Sequence, residues 1–265
     1  MGYLELHDVS YTYPNGYEAV KNIDLSFELG ESVAIIGQNG AGKTTTVKLM
    51  NGLLKPTQGD ILVEGVSIKK TTTAQTSKLV GYVFQNPDDQ IFQETIFKEI
   101  AYGLKSKKLD ADTVQQRVKE AATLCGLEDL LEEHPYNLPY SKRKFVTIAA
   151  IIAMDTQVII LDEPTAGQDR ESTERLGTLI RNLSEQHKTV ITITHDMEFV
   201  AREFKRVIVF SDKEKRMDAT PEKIFWNESL LAMANLKQPY ICQLAKLLGD
   251  TGVMTIDALL ERNFG

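Results

Sequence analysis

Residues Gly37–Thr44 read GQNGAGKT and satisfy GxxxxGK(S/T) at every fixed position. Glycines, a lysine and a hydroxyl in that order make a phosphate cradle. Gly37, Gly40 and Gly42 permit turns that a Cβ resists, so successive N–H groups, including those of Gln38, Asn39 and Ala41, converge on phosphate oxygens. Lys43 supplies a mobile positive charge for the β- and γ-phosphates, and the Thr44 hydroxyl, followed by Thr45, is a ligand for Mg²⁺. An apolar run, Val33–Ile36, precedes the loop, and a helix-like segment, Thr44–Leu54, follows it. The helix adds the positive end of its dipole to the anion site. An accidental glycine-rich turn would have no need of that strand-loop-helix context. The octapeptide implies a chain that binds a nucleoside triphosphate.

Three further strand ends extend the chemistry. Val158–Leu161 is a continuous apolar run that ends in Asp162-Glu163-Pro164. Ligands of α/β sheets bind beyond the carboxyl ends of the strands, so these acids face the phosphate loop. Asp162 suits Mg²⁺, held directly or through water, and Glu163 suits an attacking water that must be oriented or deprotonated. Adjacent acids at a strand end are often merely solvated; the phosphate loop upstream argues for the functional reading here. His195 ends a second such run, Val190–Thr194, within reach of a γ-phosphate or the water, whereas His7, His134 and His187 lack that placement. Gln85 ends a third, Val80–Phe84, and its amide oxygen can serve metal or water.

The elements that hold these residues are legible in outline. Val33–Ile36, Val80–Phe84, Val158–Leu161 and Val190–Thr194 have the unbroken apolar character of parallel strands covered on both faces. Tyr3–Tyr11, Ala19–Leu29 and Asp60–Glu64 are shorter-range strand candidates separated by Pro14-Asn15-Gly16, Gly30 and Gln58-Gly59. Helical periodicity marks Asp112–Cys125, with Val114, Val118, Ala121 and Cys125 on one face, and also Ser141–Met154 and Ser172–Gln186. A helical insertion at about residues 86–155 is expected between two core strands.

Bulk properties narrow the class. The chain has 265 residues, 42% hydrophobic and 25% charged, with a formal net charge of −7. That acidity argues against nucleic acid as the main partner, since phosphate-binding faces make domains basic. Cys125 and Cys242 form no metal-spaced pair and are expected to be buried thiols of a reducing compartment. The N-terminal MGYLELHDVSYTYP lacks the basic-then-apolar layout of a signal peptide, and the most apolar stretch, Phe145–Met154, has ten residues. A spanning helix needs about 20. The chain is therefore expected not to cross a membrane unaided.

GQNGAGKT, Gln85, ILDEPTAGQD and His195, in that order and spacing, resemble the ATP-binding cassette (ABC) ATPases over about residues 1–220. The resemblance implies an α/β P-loop fold with a mostly parallel core sheet, an antiparallel β subdomain and an inserted helical subdomain. It also implies a Q-loop at Gln85, a catalytic Glu163, a D-loop at Ala166–Asp169, a switch histidine at His195, and Tyr13 as the ring that stacks on adenine. Phe84-Gln85-Asn86-Pro87-Asp88-Asp89-Gln90-Ile91-Phe92 looks more narrowly like the Q-loop of energy-coupling factor (ECF) transporter ATPases, including the cobalt-type ones. Segments within residues 221–265 resemble the helical extension that helps those ATPases pair. Leu244, Leu247 and Leu248 would lie on one face of it. This resemblance implies an ATP- and Mg²⁺-dependent subunit on the cytoplasmic side of the cell membrane, peripheral to a transmembrane coupling subunit and a substrate-binding membrane subunit. The cargo, a vitamin or a transition-metal ion, would be read by that last subunit.

One motif departs from the family. Where LSGGQ is expected, the chain has Leu138-Pro139-Tyr140-Ser141-Lys142. That signature acts in trans, closing its serine and glycine N–H groups over the γ-phosphate held by a partner. Pro139 has neither the hydroxyl nor an N–H, and Tyr140 puts a ring where backbone should approach. Losing one such donor costs about 2.7–4 kcal/mol of transition-state stabilisation. Ser141 and the cations Lys142-Arg143-Lys144 are candidate compensations. A homodimer would hold two impaired sites although Lys43, Asp162, Glu163 and His195 are intact, so a heterodimer with a second ABC ATPase is favoured. Two rivals remain at this level: a soluble ABC ATPase without a transporter, opposed by the acidic balance and the Gln85–Phe92 segment, and an ATP-binding regulatory subunit with little turnover, opposed by Glu163 and His195.

Overall fold

Two kinds of strand divide the chain between two sheets. In the computed structural model, which describes residues 2–264, β1 (Leu4–Thr12), β2 (Glu18–Phe27), β3 (Ser32–Gly37), β4 (Gln58–Val63), β5 (Val66–Ser67), β6 (Val80–Val83), β7 (Val158–Asp162), β8 (Thr189–Ile193), β9 (Arg206–Ser211) and β10 (Glu214–Ala219) follow in order. β2-β1-β4-β5 form an antiparallel sheet, whereas β10-β9-β3-β8-β7-β6 form the core sheet. Within the core sheet every pairing is parallel except that of β10 with β9. Alternate residues of the parallel strands point to opposite sides. Val33, Ile35, Ile160 and Ile193 meet the antiparallel sheet, while Ala34, Ile36, Leu161 and Val190 meet helices. Both faces are thus covered, which is why these strands read as unbroken apolar runs.

The helices are α1 (Lys43–Met50), α2 (Thr73–Thr76), α3 (Ile96–Tyr102), α4 (Ala111–Cys125), α5 (Tyr140–Ala153), α6 (Arg170–Glu185), α7 (Met197–Glu203), α8 (Pro221–Phe225), α9 (Glu228–Met233), α10 (Tyr240–Leu247) and α11 (Ile256–Phe264). α3, α4 and α5 lie between β6 and β7 in the chain, and they pack together through Ile100, Val118, Ala121, Phe145 and Ile148. Local chemistry sets their ends. The Asp110 carboxylate accepts the Thr113 N–H at the start of α4, and Gly126, at φ 66°, ends that helix. α1 stops four residues short of the expected Leu54. Gly52 turns the chain at φ 79°, and the Asn51 side chain is drawn away to donate to the Val80 carbonyl.

Expected and observed strands agree apart from end residues, and three strands go beyond expectation: β5, β9 and β10. β9 has the apolar signal in Val207–Phe210. β10 has none, because it is a charged edge, EKRMDA, whose side chains are half exposed. At the C-terminus α10 docks through buried Cys242 and Ala245, and the Trp226 indole N–H donates to the Val253 carbonyl at 3.3 Å. Leu244, Leu247 and Leu248 face outward, Leu247 being 84% exposed. Cys125 and Cys242 are both buried, and burial pushes both thiols up, Cys242 to about 11. Among the described residues no helix is long and apolar enough to cross a membrane.

Candidate functional site

The phosphate loop leaves β3 at Gly37 and enters α1 at Lys43. Both flanking glycines are obligatory. A Cβ on Gly37 (φ 152°) would sit 2.2 Å from the Phe210 carbonyl oxygen, and one on Gly42 (φ 96°) 2.5 Å from that of Ala19. The Lys43 ammonium is buried and bends back over the loop, donating to the carbonyls of Gly37 (2.7 Å) and Gln38 (3.0 Å). Burial lowers its pKa, against the opposing pull of Glu163 and Asp162. Asn39, Gly40, Ala41, Gly42, Lys43, Thr44 and Thr45 line a cleft of about 630 Å³, together with Gln85, Glu163 and His195. Residues far apart in sequence therefore share one cavity, as their positions at strand ends require. Gly37 and Gln38 do not line it; their carbonyls accept from Lys43.

Glu163 is the most constrained group of the cleft. It is 9% exposed, and its backbone holds a left-handed φ of 47°, a conformation costing about 1–2 kcal/mol for a side-chain-bearing residue. Its N–H donates to the Ile193 carbonyl at 2.9 Å, which ties the turn to the end of β8. One carboxylate oxygen stands 3.1 Å from His195 Nε2, and the other accepts the His195 backbone N–H at 3.3 Å. Burial pushes the carboxyl up to about 7, with Lys43 pulling it down and Asp162 adding to the rise. Burial, then Lys43, lowers the imidazole pKa, which favours neutral His195. The pair is suited to pass a proton between a bound water and the protein.

Asp162, Thr44 and Gln85 meet in an adjoining recess of about 340 Å³, which Tyr82 and Lys48 also line. The Tyr82 hydroxyl donates to Asp162 Oδ2 at 2.6 Å, while Asp162 Oδ1 is buried without a partner. An unpartnered carboxylate oxygen beside a hydroxyl and an amide oxygen is a hard donor set, and it fits Mg²⁺. Tyr82 was not foreseen, because an aromatic residue in a core strand gives no sign of its hydroxyl's partner. Burial and Asp162 raise its phenol pKa further, so it stays a donor.

At the opening of the cleft the wall is Tyr17, 48% exposed, rather than Tyr13. Tyr13 does not line the cleft; its ring is 6.5 Å from that of Tyr17 and its hydroxyl 3.2 Å from Thr45 Oγ1. The Leu138–Lys142 segment runs into α5, whose N-terminus has no side-chain cap. The Tyr140 ring covers Gly167, and the Gln168 amide donates to the Ser141 carbonyl at 3.5 Å. The expectation that Lys142-Arg143-Lys144 offers charge to phosphates is corrected for two of the three. Arg143 pairs with Asp88 at 2.9 Å, and Lys144 is 1% exposed and turned inward. Lys144 Nζ donates to the carbonyls of Phe84 (2.9 Å), Gln85 and Asp162 (3.4 Å).

Residues 20–166 match the ABC transporter family. The chain is 39% identical over 254 residues to the energy-coupling factor transporter ATP-binding protein EcfA of Methanoculleus marisnigri, covering 96% of this chain and 92% of that protein. Among solved structures it is similar to cbiO1 of Clostridium perfringens, described as part of the ABC transporter complex cbiONQ. The TM-score there is 0.80 at 29% identity, over 94% of this chain and 99% of the other. It is also similar to the dimeric post-hydrolysis state of the ATP-binding cassette MJ0796 bound to ADP and Pi, with a TM-score of 0.75, 26% identity, and 82% and 98% of the two chains covered.

Proposed function

We propose, from the premise that this chain belongs to the ABC transporter family and is an ATPase of the ECF type, that it binds ATP·Mg²⁺ in the Lys43 cleft and drives uptake of a vitamin or transition-metal ion. The observation that carries the reading is the Glu163–His195 contact of 3.1 Å at the mouth of the phosphate loop. Glu163 takes the proton of the attacking water, and neutral His195 holds that water and the γ-phosphate in line. Lys43 leaves its loop carbonyls for the β- and γ-phosphates, and the loop N–H groups hold the remaining oxygens. Thr44, Gln85 and Asp162 would hold Mg²⁺, which neutralises phosphate charge when bound. Tyr17, backed by Tyr13, receives the adenine.

The assembly follows from what the chain lacks. Residues 1–220 form the cassette, with residues 86–155 as its helical part, and 221–265 support pairing through the outward apolar face of α10. Pro139 and Tyr140 make this chain a poor donor of the trans signature, so its partner is a second, different ABC ATPase. One composite site, built from this chain's Lys43 and Glu163 and the partner's signature, turns over; the other is slow. Asp88, Asp89 and Gln90 face the transmembrane coupling subunit, and the assembly sits at the cytoplasmic side of the cell membrane with a separate substrate-binding subunit.

Glu163→Gln in the assembled complex tests the reading. It removes the base and keeps the shape, so turnover should fall about 100-fold or more while ATP binding persists. Wild-type turnover in that variant would sink the assignment. Identifying the chains that co-purify with it from membranes separates the transporter reading from a soluble ATPase.

A further inference from the structure

Lys144 is the largest charged side chain that the protein buries almost completely, and the mechanism above makes no use of it. Burying an ammonium is costly unless every donor is satisfied. Here all three are, by carbonyls that come from two different elements. Phe84 and Gln85 lie just past the end of β6, where the sheet no longer supplies partners, and Asp162 closes β7. The lysine itself sits in the first turns of α5, only two residues after the Leu138–Lys142 segment. Its neighbour Arg143 makes a second link from the same turn, to Asp88 in the loop that Gln85 begins.

We propose that Lys144 is a positioning residue that locks the helix carrying the altered signature to both the Gln85 loop and the catalytic strand, so that the three move as one body. Gln85 and Asp162 place their side chains in one recess and their carbonyls on one ammonium. Any displacement of α5, from a partner pressing on Leu138–Lys142 or a membrane subunit pressing on Asp88, therefore shifts both candidate metal holders together. An apolar residue of the same length would fill the space but release three carbonyls. This inference rests on the ATPase role proposed above and assigns a regulatory path within that site.

Lys144→Met and Lys144→Gln test it, the second because an amide still donates to carbonyls. In the assembled complex Lys144→Met should lower kcat about 10–100-fold, as loss of an outer-shell partner does, with KM for ATP near wild type. Lys144→Gln should recover part of that loss. Hydrogen exchange on the full chain alone supplies a readout that needs no turnover. Residues Phe84–Phe92 should exchange faster in Lys144→Met, with α6 unchanged and Lys144→Gln intermediate. Wild-type kcat, no loosening at Phe84–Phe92, or equal loosening throughout both variants would each overturn the proposal. If Glu163→Gln also turned over normally, the ATPase reading would fall while the exchange result still decided the lock.

Discussion

The proposed adenine site involves two tyrosines four residues apart, which the cleft treats differently. Tyr17 lines the cleft, whereas Tyr13 contacts the Tyr17 ring and, through its hydroxyl, Thr45. Base–aromatic stacking contributes about 1–3 kcal/mol, so Tyr17→Ala should weaken ATP binding about 5- to 150-fold while leaving kcat at saturation nearly unchanged. Tyr13→Ala should cost less, because Tyr13 does not line the cleft and reaches it only through Tyr17 and Thr45. Titration with a fluorescent ATP analogue measures both, and a larger loss for Tyr13→Ala would return the stacking role to it. The difference also marks the limit of sequence reading at this scale. Asp162, Glu163 and His195 were legible as candidates because they follow apolar strand runs, and Lys43 because it closes a glycine-rich loop; the structure gathers them around one cleft and its adjoining recess. Tyr82 and Lys144 were not legible, because their significance lies in partners 80 and 18 positions away along the chain, chosen by the fold.

Among the elements, the loop from β6 to α3 is held by side chains from two helices. Its polar path past Gln85 is held by Lys144 and Arg143 at one end and by Glu99 at the other. Buried Glu99, in α3, accepts the N–H groups of Phe92 (3.0 Å) and Gln93 (2.8 Å) with one carboxylate oxygen. Glu99→Ala would orphan two donors, at a cost of about 1–3 kcal/mol each, and should lower the urea midpoint without changing the slope. An unchanged midpoint would mean that the loop re-pairs those groups with water. Periodicity revealed α4 and α6 because each buries one stripe, as Val118, Ala121 and Cys125 do in α4, whereas α5 is buried all round over Lys144–Ala149. Unbroken apolar runs revealed β3, β6, β7 and β8 because both their faces are covered, while β9, parallel too, was passed over. Neither signal revealed β10, which is an edge whose Glu214, Lys215, Arg216 and Asp218 answer to solvent and to ion pairs with neighbours. Edge strands are specified by pairing rather than by burial, and pairing is invisible in one dimension.

At the scale of the whole molecule the C-terminal helices set a question that the cassette alone does not. Leu244, Leu247, Leu248, Tyr240, Ile256 and Leu260 all stand exposed around α10 and α11, although Cys242, Ala245 and Val253 beneath them are buried. The extension is thus anchored from below and apolar above, the arrangement of a surface awaiting a partner. Its proposed role in pairing the two ATPases can be separated from any role in folding, because Leu247 makes almost no use of its own chain. Leu247→Glu should shift the melting temperature of the isolated chain by no more than about 2 °C, since fully exposed substitutions rarely exceed about 0.5 kcal/mol. In the pair, however, the carboxylate would be carried into an apolar contact without a cation to meet it. About 1.4 kcal/mol of that penalty is a tenfold weaker association, and the unpaired charge should cost at least as much. Sedimentation with the co-purified partner ATPase at fixed ATP reads this directly, and turnover should fall in step with the fraction paired. Undiminished pairing in Leu247→Glu would take the α10 face out of the proposed interface between the two ATPases.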